Sequence, residues 1–185
     1  MLRGQACLSV GRGASEMKAL IISADNFEDS ELLYPYYRLK EENIEVDIAS
    51  LTREKIRGEK GYEVDVDMTV NEVEPEDYDL LILPGGKAPA QLRKEKKVLE
   101  ITEHFVKNNK PVSAICHGPQ ILIAAGLLEG KNATCYQSVS NEMKDGNANY
   151  DDSEVVVDGN IVTSRRPGDL PAFMRETIRL LKNRQ

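Results

Sequence analysis

The sequence predicts an α/β fold in which helices cover both faces of a mostly parallel sheet. Three observations carry this prediction. Short apolar runs typical of strands buried on both faces recur along the chain, as at residues 18–24 and 80–83. Turn residues such as Asn, Pro and Gly follow these runs, and stretches with helical spacing of apolar residues come next. Strands that alternate with helices in this way form βαβ units, whose strands lie parallel.

The predicted elements follow this alternation to the end of the chain. Asn26 and Asp29 have the types and spacing of an N-cap and its N3 partner at the start of the first helix. Residues 53–73 alternate between apolar and polar around glycines, which is typical of a hairpin or short extended strands. The segment 137–149 is polar, and we predict neither a helix nor a strand in it. Strands are predicted at residues 18–24, 45–50, 80–83 and 112–115, a hairpin at 154–163, and helices at 27–43, 95–109, 118–125 and 169–182.

Length and composition bound the organisation of the chain. Its 185 residues suffice for one domain with a full core, which we predict over residues 17–185. Residues 1–16 contain several Gly and Ser and no continuous apolar segment, so we predict a flexible N-terminal extension rather than a secretory signal. No stretch approaches the roughly 20 apolar residues of a membrane span. We therefore expect a cytoplasmic protein without a membrane partner.

Charge and the supply of metal-ligating residues exclude some classes of function. The chain has 24 Lys and Arg against 31 Asp and Glu, and eight carboxylates fall in residues 63–79 without a basic residue among them. We therefore expect no nucleic-acid partner. The two His and three Cys form no ligand-spaced cluster, so we expect no metal and no other cofactor. The odd Cys count is typical of a reducing compartment, with Cys7 expected to be exposed and Cys135 buried.

Cys116 stands where the apolar run 112–115 ends and a helical pattern begins, and His117 and Gly118 follow it directly. This arrangement is typical of a nucleophile elbow, a strand-to-helix turn that lifts its central side chain clear of the sheet. The helix N-terminus behind the turn is expected to lower the thiol pKa and to make Cys116 a nucleophile. The alternative is a small buried residue without chemistry, since free Cys packs well in cores.

Two further loops follow strands and carry residues suited to chemistry. Glu28 comes after the first strand, and Gly85 and Gly86 come after the third. Because ligands bind at the carboxyl ends of strands in open α/β sheets, we expect both loops to meet Cys116 in one pocket. A protonated Glu28 can hydrogen-bond a thiolate, although its role could also be only to complement the helix dipole. Gly85 and Gly86 are predicted to form an oxyanion hole with the N–H of His117, the alternative being a simple turn.

His117 is the histidine that adjoins the candidate nucleophile. If its ring reaches Cys116 or a bound substrate, it serves as general base and general acid. The alternative is a structural histidine, because neighbouring side chains in a chain often point apart. His104 belongs to the predicted helix 95–109 and is expected on its solvated side.

These residues together resemble the PfpI type of the ThiJ/PfpI superfamily, a group of intracellular cysteine hydrolases with a flavodoxin-like three-layer sandwich. The similarity covers residues 17–182 and includes the three loops of the candidate site. The segments that carry it include Phe27-Glu28-Asp29, Leu83-Pro84-Gly85-Gly86, Ala114-Ile115-Cys116-His117-Gly118-Pro119-Gln120 and Val155-Val156-Val157-Asp158-Gly159.

The resemblance implies a role for each candidate residue. Cys116 is the implied nucleophile, Glu28 its carboxyl partner and His117 the adjacent histidine. The resemblance also implies a homo-oligomer, in which dimers build into hexamers with active sites near subunit contacts. One position departs from the pattern. In the peptidase members a Glu from a neighbouring subunit orients the histidine, and this sequence has Ala90 there.

Two classes of function are open at this point. The first is a cysteine hydrolase that acts on peptides or on methylglyoxal-type adducts of proteins and small molecules. Adduct removal needs the Cys–Glu pair but not the residue that orients the histidine. The second class is a non-catalytic stress-response protein in which Cys116 is an oxidation sensor. A glutamine amidotransferase is excluded, because it needs a catalytic His late in the chain and none follows His117.

Overall fold

The computed structural model of the protein describes residues 17–183. Its strands, numbered in chain order, are β1 Lys18–Ile22, β2 Glu45–Ser50, β3 Ile56–Arg57, β4 Glu63–Val64, β5 Met68–Thr69, β6 Leu80–Leu83, β7 Val112–Ile115, β8 Asn132–Ala133, β9 Asn149–Tyr150, β10 Val155–Asp158 and β11 Ile161–Ser164. Its helices are α1 Asp29–Glu41, α2 Ala88–Leu92, α3 Lys96–Lys107, α4 Pro119–Ala124, α5 Ser140–Asp145 and α6 Leu170–Lys182.

One mostly parallel sheet organises the described residues. Within residues 17–183, seven strands form it in the order β10-β11-β7-β6-β1-β2-β5. Neighbouring strands pair in parallel except at one edge, where β10 and β11 form an antiparallel hairpin. The short strands β3 and β4 form a separate antiparallel pair. These pairings confirm the predicted α/β class and both predicted hairpin regions.

Helices cover both faces of this sheet. The connection from β1 through α1 to β2 runs toward one edge, whereas the connection from β6 through α3 to β7 runs toward the other. Because such crossovers are right-handed, α1 and α3 lie on opposite faces. The helix α6 packs beside α1, and α4 packs beside α3. The result is the expected flavodoxin-like three-layer sandwich.

The central strands are apolar because helices cover them on both sides. All four residues of β6 are fully buried, and so are all four of β7. The one polar residue of β7, Ser113, accepts a hydrogen bond of 2.8 Å from the hydroxyl of Thr177 on α6. This bond satisfies a buried polar pair and ties the last helix to the centre of the sheet.

The strand order reverses between β1 and β6, and this reversal places the candidate site. The connections that follow β1 and β6 run in opposite directions there, so a crevice opens at the carboxyl ends of the two strands. Backbone hydrogen bonds hold the two loops together. The N–H of Glu28 donates to the carbonyl of Gly85 at 3.2 Å, and the N–H of Lys87 donates to Asn26 at 2.7 Å. The loops that follow the first and third predicted strands therefore meet, as expected.

The structure differs from the sequence prediction in a few elements. The first helix begins at Asp29 with Glu28 as its N-cap, whereas Asn26 has φ +64° and belongs to the preceding turn. The short helices α2 and α5 were not predicted, because too few apolar residues recur in them to show a helical period. No helix within residues 17–183 combines the length and the apolar character needed to cross a bilayer. The predictions for residues 1–16, including an exposed Cys7, lie outside the described residues.

Candidate active site

Cys116 occupies a nucleophile elbow, as predicted. It lies between β7 and α4 with φ +62°, a left-handed backbone conformation that is strained for a side chain other than glycine. Its N–H donates to the carbonyl of Ser164 on the neighbouring strand at 3.0 Å, which fixes the turn to the sheet. Gly118 is required here, because a Cβ at this position would stand 2.9 Å from the carbonyl oxygen of Ile115.

The carboxyl partner of Cys116 is Glu31, and the assignment of this contact to Glu28 is wrong. Glu31 is fully buried, and its carboxyl group lies near the thiol of Cys116, with which it interacts electrostatically. Glu28 instead caps α1. Its Oε2 accepts the backbone N–H groups of Ser30 at 3.0 Å and of Glu31 at 3.1 Å, and it also contacts the Ser30 hydroxyl. The helix N-terminus therefore holds the Glu28 carboxylate, because its first N–H groups need an acceptor.

The surroundings of Glu31 favour its protonated form. Burial, and after it the charge of Glu28, raise its pKa to about 8, although the N–H of Gly85, which donates to Oε2 at 2.8 Å, acts in the opposite direction. The carboxyl group is therefore mostly protonated at neutral pH and can donate a hydrogen bond to a thiolate. Gly85 permits this approach, because a Cβ there would lie 2.5 Å from Glu31 Oε2 and 2.7 Å from Cys116 Cβ.

The expected fall in the pKa of Cys116 is contradicted. Burial raises the pKa of the thiol above its ordinary value, and Glu31 adds to this rise once its carboxyl group is ionised. Backbone N–H groups of Gly86 and His117 act in the opposite direction but do not overcome burial. The helix α4 has only six residues, so its dipole contributes little. The resting site therefore holds a thiol, and the thiolate must form by proton transfer within the site.

Gly85 and Gly86, in the loop that follows β6, have different roles. The backbone N–H groups of Gly86 and His117 favour the thiolate of Cys116 electrostatically, so both donors lie near the reacting atom. The N–H of Gly85 is occupied by Glu31. Gly86 has φ +78°, which suits glycine. The structure thus offers Gly86 and His117 as oxyanion donors, and Gly85 serves to position the carboxyl group.

His117 reaches the sulfur despite being its neighbour in the chain. Its Nδ1 lies 3.2 Å from Sγ of Cys116, and its Nε2 lies 3.3 Å from Oγ of Ser138. The ring stacks on Tyr136 with 5.1 Å between centroids and 29° between planes. Partial burial lowers the pKa of His117, so the ring is neutral at pH 7 and can accept a proton.

Among residues 17–183, the other His and Cys are His104 and Cys135, and both lie apart from this contact. Cys135 is fully buried, as expected, and burial raises its pKa to about 12. His104 is half-buried rather than fully on the solvated side, and its Nδ1 lies 3.7 Å from a carboxylate oxygen of Glu76. Within residues 17–183, no three His, Cys, Asp or Glu side chains form a group that could hold a metal ion.

The three loops enclose a pocket of about 540 Å³ beside Cys116. Charged groups of both signs lie on its wall, and the ring of Tyr136 forms one side. The residues that line it are Glu28, Glu59, Lys60, Gly86, Lys87, Ala90, Cys116, His117, Gln120, Tyr136 and Pro167. The chain thus places a thiol, a neutral imidazole and backbone donors around a space large enough for a small organic substrate.

Sequence reasoning missed Glu31 and Ser138. A signal for Glu31 was present, because it shares the buried face of α1 with Leu32, Pro35 and Leu39. A Glu on the apolar stripe of a helix is unusual unless it has a specific partner. No comparable signal existed for Ser138, since it lies 21 residues from His117 along the chain and reaches it only through the tertiary fold.

Comparisons with known proteins show the family to which the chain belongs. Residues 17–180 match the DJ-1/PfpI family. Deglycase PfpI of Pyrococcus furiosus is 52% identical over 166 residues, which are 90% of this chain and 100% of the relative. Protein/nucleic acid deglycase 2 of Escherichia coli is 41% identical over 167 residues, covering 89% and 97%. The crystal structure of Drosophila melanogaster DJ-1beta is similar with a TM-score of 0.82 at 28% identity, covering 90% and 91%.

Proposed function

Because the chain belongs to the DJ-1/PfpI family, we propose that it is a cysteine-dependent hydrolase that removes carbonyl adducts from amines and thiols. The observation that carries the proposal is the fully buried Glu31 carboxyl group beside Cys116, which itself stands at a strained elbow. The deglycase names of the relatives support the substrate class. A reducing, cytoplasmic setting fits this proposal, because the nucleophile is a thiol.

The proposed reaction begins with activation of the thiol. Nδ1 of His117 accepts the proton of the Cys116 thiol, and protonated Glu31 donates a hydrogen bond to the thiolate that forms. The sulfur then adds to the aldehyde carbon of a 2-oxoaldehyde, once the amine or thiol that carried the adduct has left it. The new alkoxide is held by the N–H groups of Gly86 and His117.

The remaining steps need no oxidant. A proton moves from the carbon attached to sulfur to the neighbouring carbon, so the first carbon is oxidised to a thioester while the second is reduced to an alcohol. Water then cleaves the thioester and restores the thiol. Overall, adduct and water give the free amine or thiol and a 2-hydroxy acid.

A product assay on the purified protein tests this function. We expect release of free amine and a 2-hydroxy acid from a methylglyoxal-treated peptide over many turnovers, and no release from Cys116→Ala. Oxidation of Cys116 in proportion to added peroxide, without any catalytic product, would favour the oxidation sensor and contradict our proposal. Assembly into dimers and hexamers stays a prediction, which sedimentation of the same preparation tests.

Ala90 decides between adduct removal and peptide cleavage. It lines the same pocket as His117 but has no side chain that can orient the ring. We expect Ala90→Glu to raise peptide cleavage severalfold, because a carboxylate stabilises the imidazolium that forms during acyl transfer. Adduct removal should change less than about twofold, since its proton transfers already have acceptors.

The measurement compares the wild type with Ala90→Glu, each on an unmodified peptide and on the adducted peptide. Ala90→Gln serves as the matched control, because it has a similar volume without the charge. Strong peptide cleavage by the wild type that Cys116→Ala abolishes and Ala90→Glu leaves unchanged would contradict the prediction.

A further inference from the structure

Both ring nitrogens of His117 have a side-chain neighbour. Nδ1 faces the sulfur of Cys116 at 3.2 Å, and Nε2 faces the hydroxyl oxygen of Ser138 at 3.3 Å. Ser138 lies in a 3₁₀ turn, Gln137–Val139, that directly precedes α5. A neutral imidazole has one donor and one acceptor nitrogen, so the partner of Nε2 decides what Nδ1 can do toward the sulfur.

We propose that Ser138 is a positioning residue that accepts the Nε2 proton of His117 and so keeps Nδ1 unprotonated toward Cys116. The hydroxyl would thereby take, within one chain, the orienting role that Ala90 cannot perform. This inference rests on the proposed function for its effect on turnover. Its effect on the tautomer of His117 can be measured without any substrate.

The segment that carries Ser138 is anchored to the elbow on several sides. The N–H of Tyr136 donates to the carbonyl of Cys116 at 2.9 Å. Two residues earlier, the N–H of Thr134 donates to the hydroxyl of Thr163 on β11 at 2.9 Å. Val139 follows Ser138 and is buried in the core. The hydroxyl is therefore presented to His117 from a backbone fixed on both sides, as a positioning group requires.

The ring of Tyr136 adds a second constraint. It stacks on the imidazole at 5.1 Å, so it opposes rotation of the ring out of the line between Cys116 and Ser138. Free rotation would move Nδ1 away from the sulfur and put the ring carbon Cδ2 in its place. The stacked ring and the hydroxyl together define one orientation and one tautomer.

Charged neighbours do not perform this role in place of Ser138. The charges of Glu59 and Glu142 favour the protonated ring, but burial outweighs them. Glu142 is already paired, with Arg93 on one side and with Gln120 at 3.0 Å on the other. A neutral hydroxyl therefore suits the site, because it orients the ring without raising its pKa and leaves it able to accept the thiol proton.

The tautomer of His117 is measured by nitrogen-15 NMR of histidine-labelled protein at neutral pH. The sequence has two histidines, so His104 provides an internal reference in the same spectrum. We expect the wild type to carry its ring proton on Nε2, and Ser138→Ala to show a mixture of tautomers. Ser138→Thr keeps a hydroxyl and should restore the wild-type signal. A wild-type ring protonated on Nδ1, or an unchanged tautomer in Ser138→Ala, would overturn the proposal.

Turnover provides the second readout. We expect Ser138→Ala to lower kcat about threefold to tenfold, the range for loss of one solvent-accessible hydrogen bond, with KM changed less than twofold. Ser138→Thr should recover most of kcat. The matched control is Ser140→Ala, which removes a hydroxyl bonded to the Gln137 carbonyl in the same segment without touching His117. Equal losses in Ser138→Ala and Ser140→Ala would indicate a merely structural effect and reject a positioning role.

If no adduct is turned over, the proposed function fails while the NMR result still decides the role of Ser138.

Discussion

Replacing Glu31 with Ala is expected to lower turnover of the adduct substrate by about 10²-fold or more. The change removes the group that hydrogen-bonds the thiolate of Cys116 and leaves the N–H of Gly85 without its acceptor. Glu31→Gln should retain more activity, because an amide can still donate to sulfur and accept from Gly85. Steady-state kinetics and the rate of Cys116 alkylation by iodoacetamide measure both effects.

Glu28 provides the matched comparison for Glu31, since both are carboxyl groups at the start of α1. We expect Glu28→Ala to reduce stability by about 1 kcal/mol through loss of the helix cap. Turnover should fall less than about threefold, because the Glu28 carboxylate is engaged by the N–H groups of Ser30 and Glu31. Similar losses of turnover in Glu28→Ala and Glu31→Ala would show that Glu31 is wrongly assigned.

The free energy of unfolding is expected to fall as pH rises from 5 to 9, owing to Glu31. Its pKa rises from 4.5 to about 8 on folding, so between these values the folded state binds more protons than the unfolded state. A neutral buried carboxyl therefore stabilises the fold fully below pH 4.5, and this contribution is lost as pH rises through about 8. The slope per proton is about 1.4 kcal/mol for each pH unit, which makes the total a few kcal/mol.

Urea unfolding of the wild type and of Glu31→Gln across this range isolates the effect. Other groups titrate as well. The pKa of His117 is lowered on folding, so its contribution has the opposite sign and is lost as pH falls. These groups are common to both proteins, and the difference between the two curves belongs to Glu31. Parallel curves would contradict a raised pKa for this carboxyl group.

The strands and long helices could be predicted because local patterns determine them. The run at residues 80–83 is apolar throughout, the run at 112–115 is apolar except for Ser113, and both form strands with the predicted bounds. The terminal helix begins one residue later than predicted and ends at the same residue. The short helix α5 could not be predicted, because one buried residue, Met143, is too little to reveal a period.

The sequence by itself predicted the elbow at Cys116 and the convergence of the loops, since both depend on the order of strands and turns. It left open whether the ring of His117 reaches the sulfur, which the structure shows. The tertiary structure alone decided which carboxyl group meets the thiol. Glu28 and Glu31 are three residues apart at the start of one helix, and their directions depend on where that helix begins. Because α1 starts at Asp29, the free N–H groups of its first turn bind Glu28, and Glu31 turns into the buried face against Cys116. The thiol pKa was likewise decided by burial, which no local pattern of residues reveals.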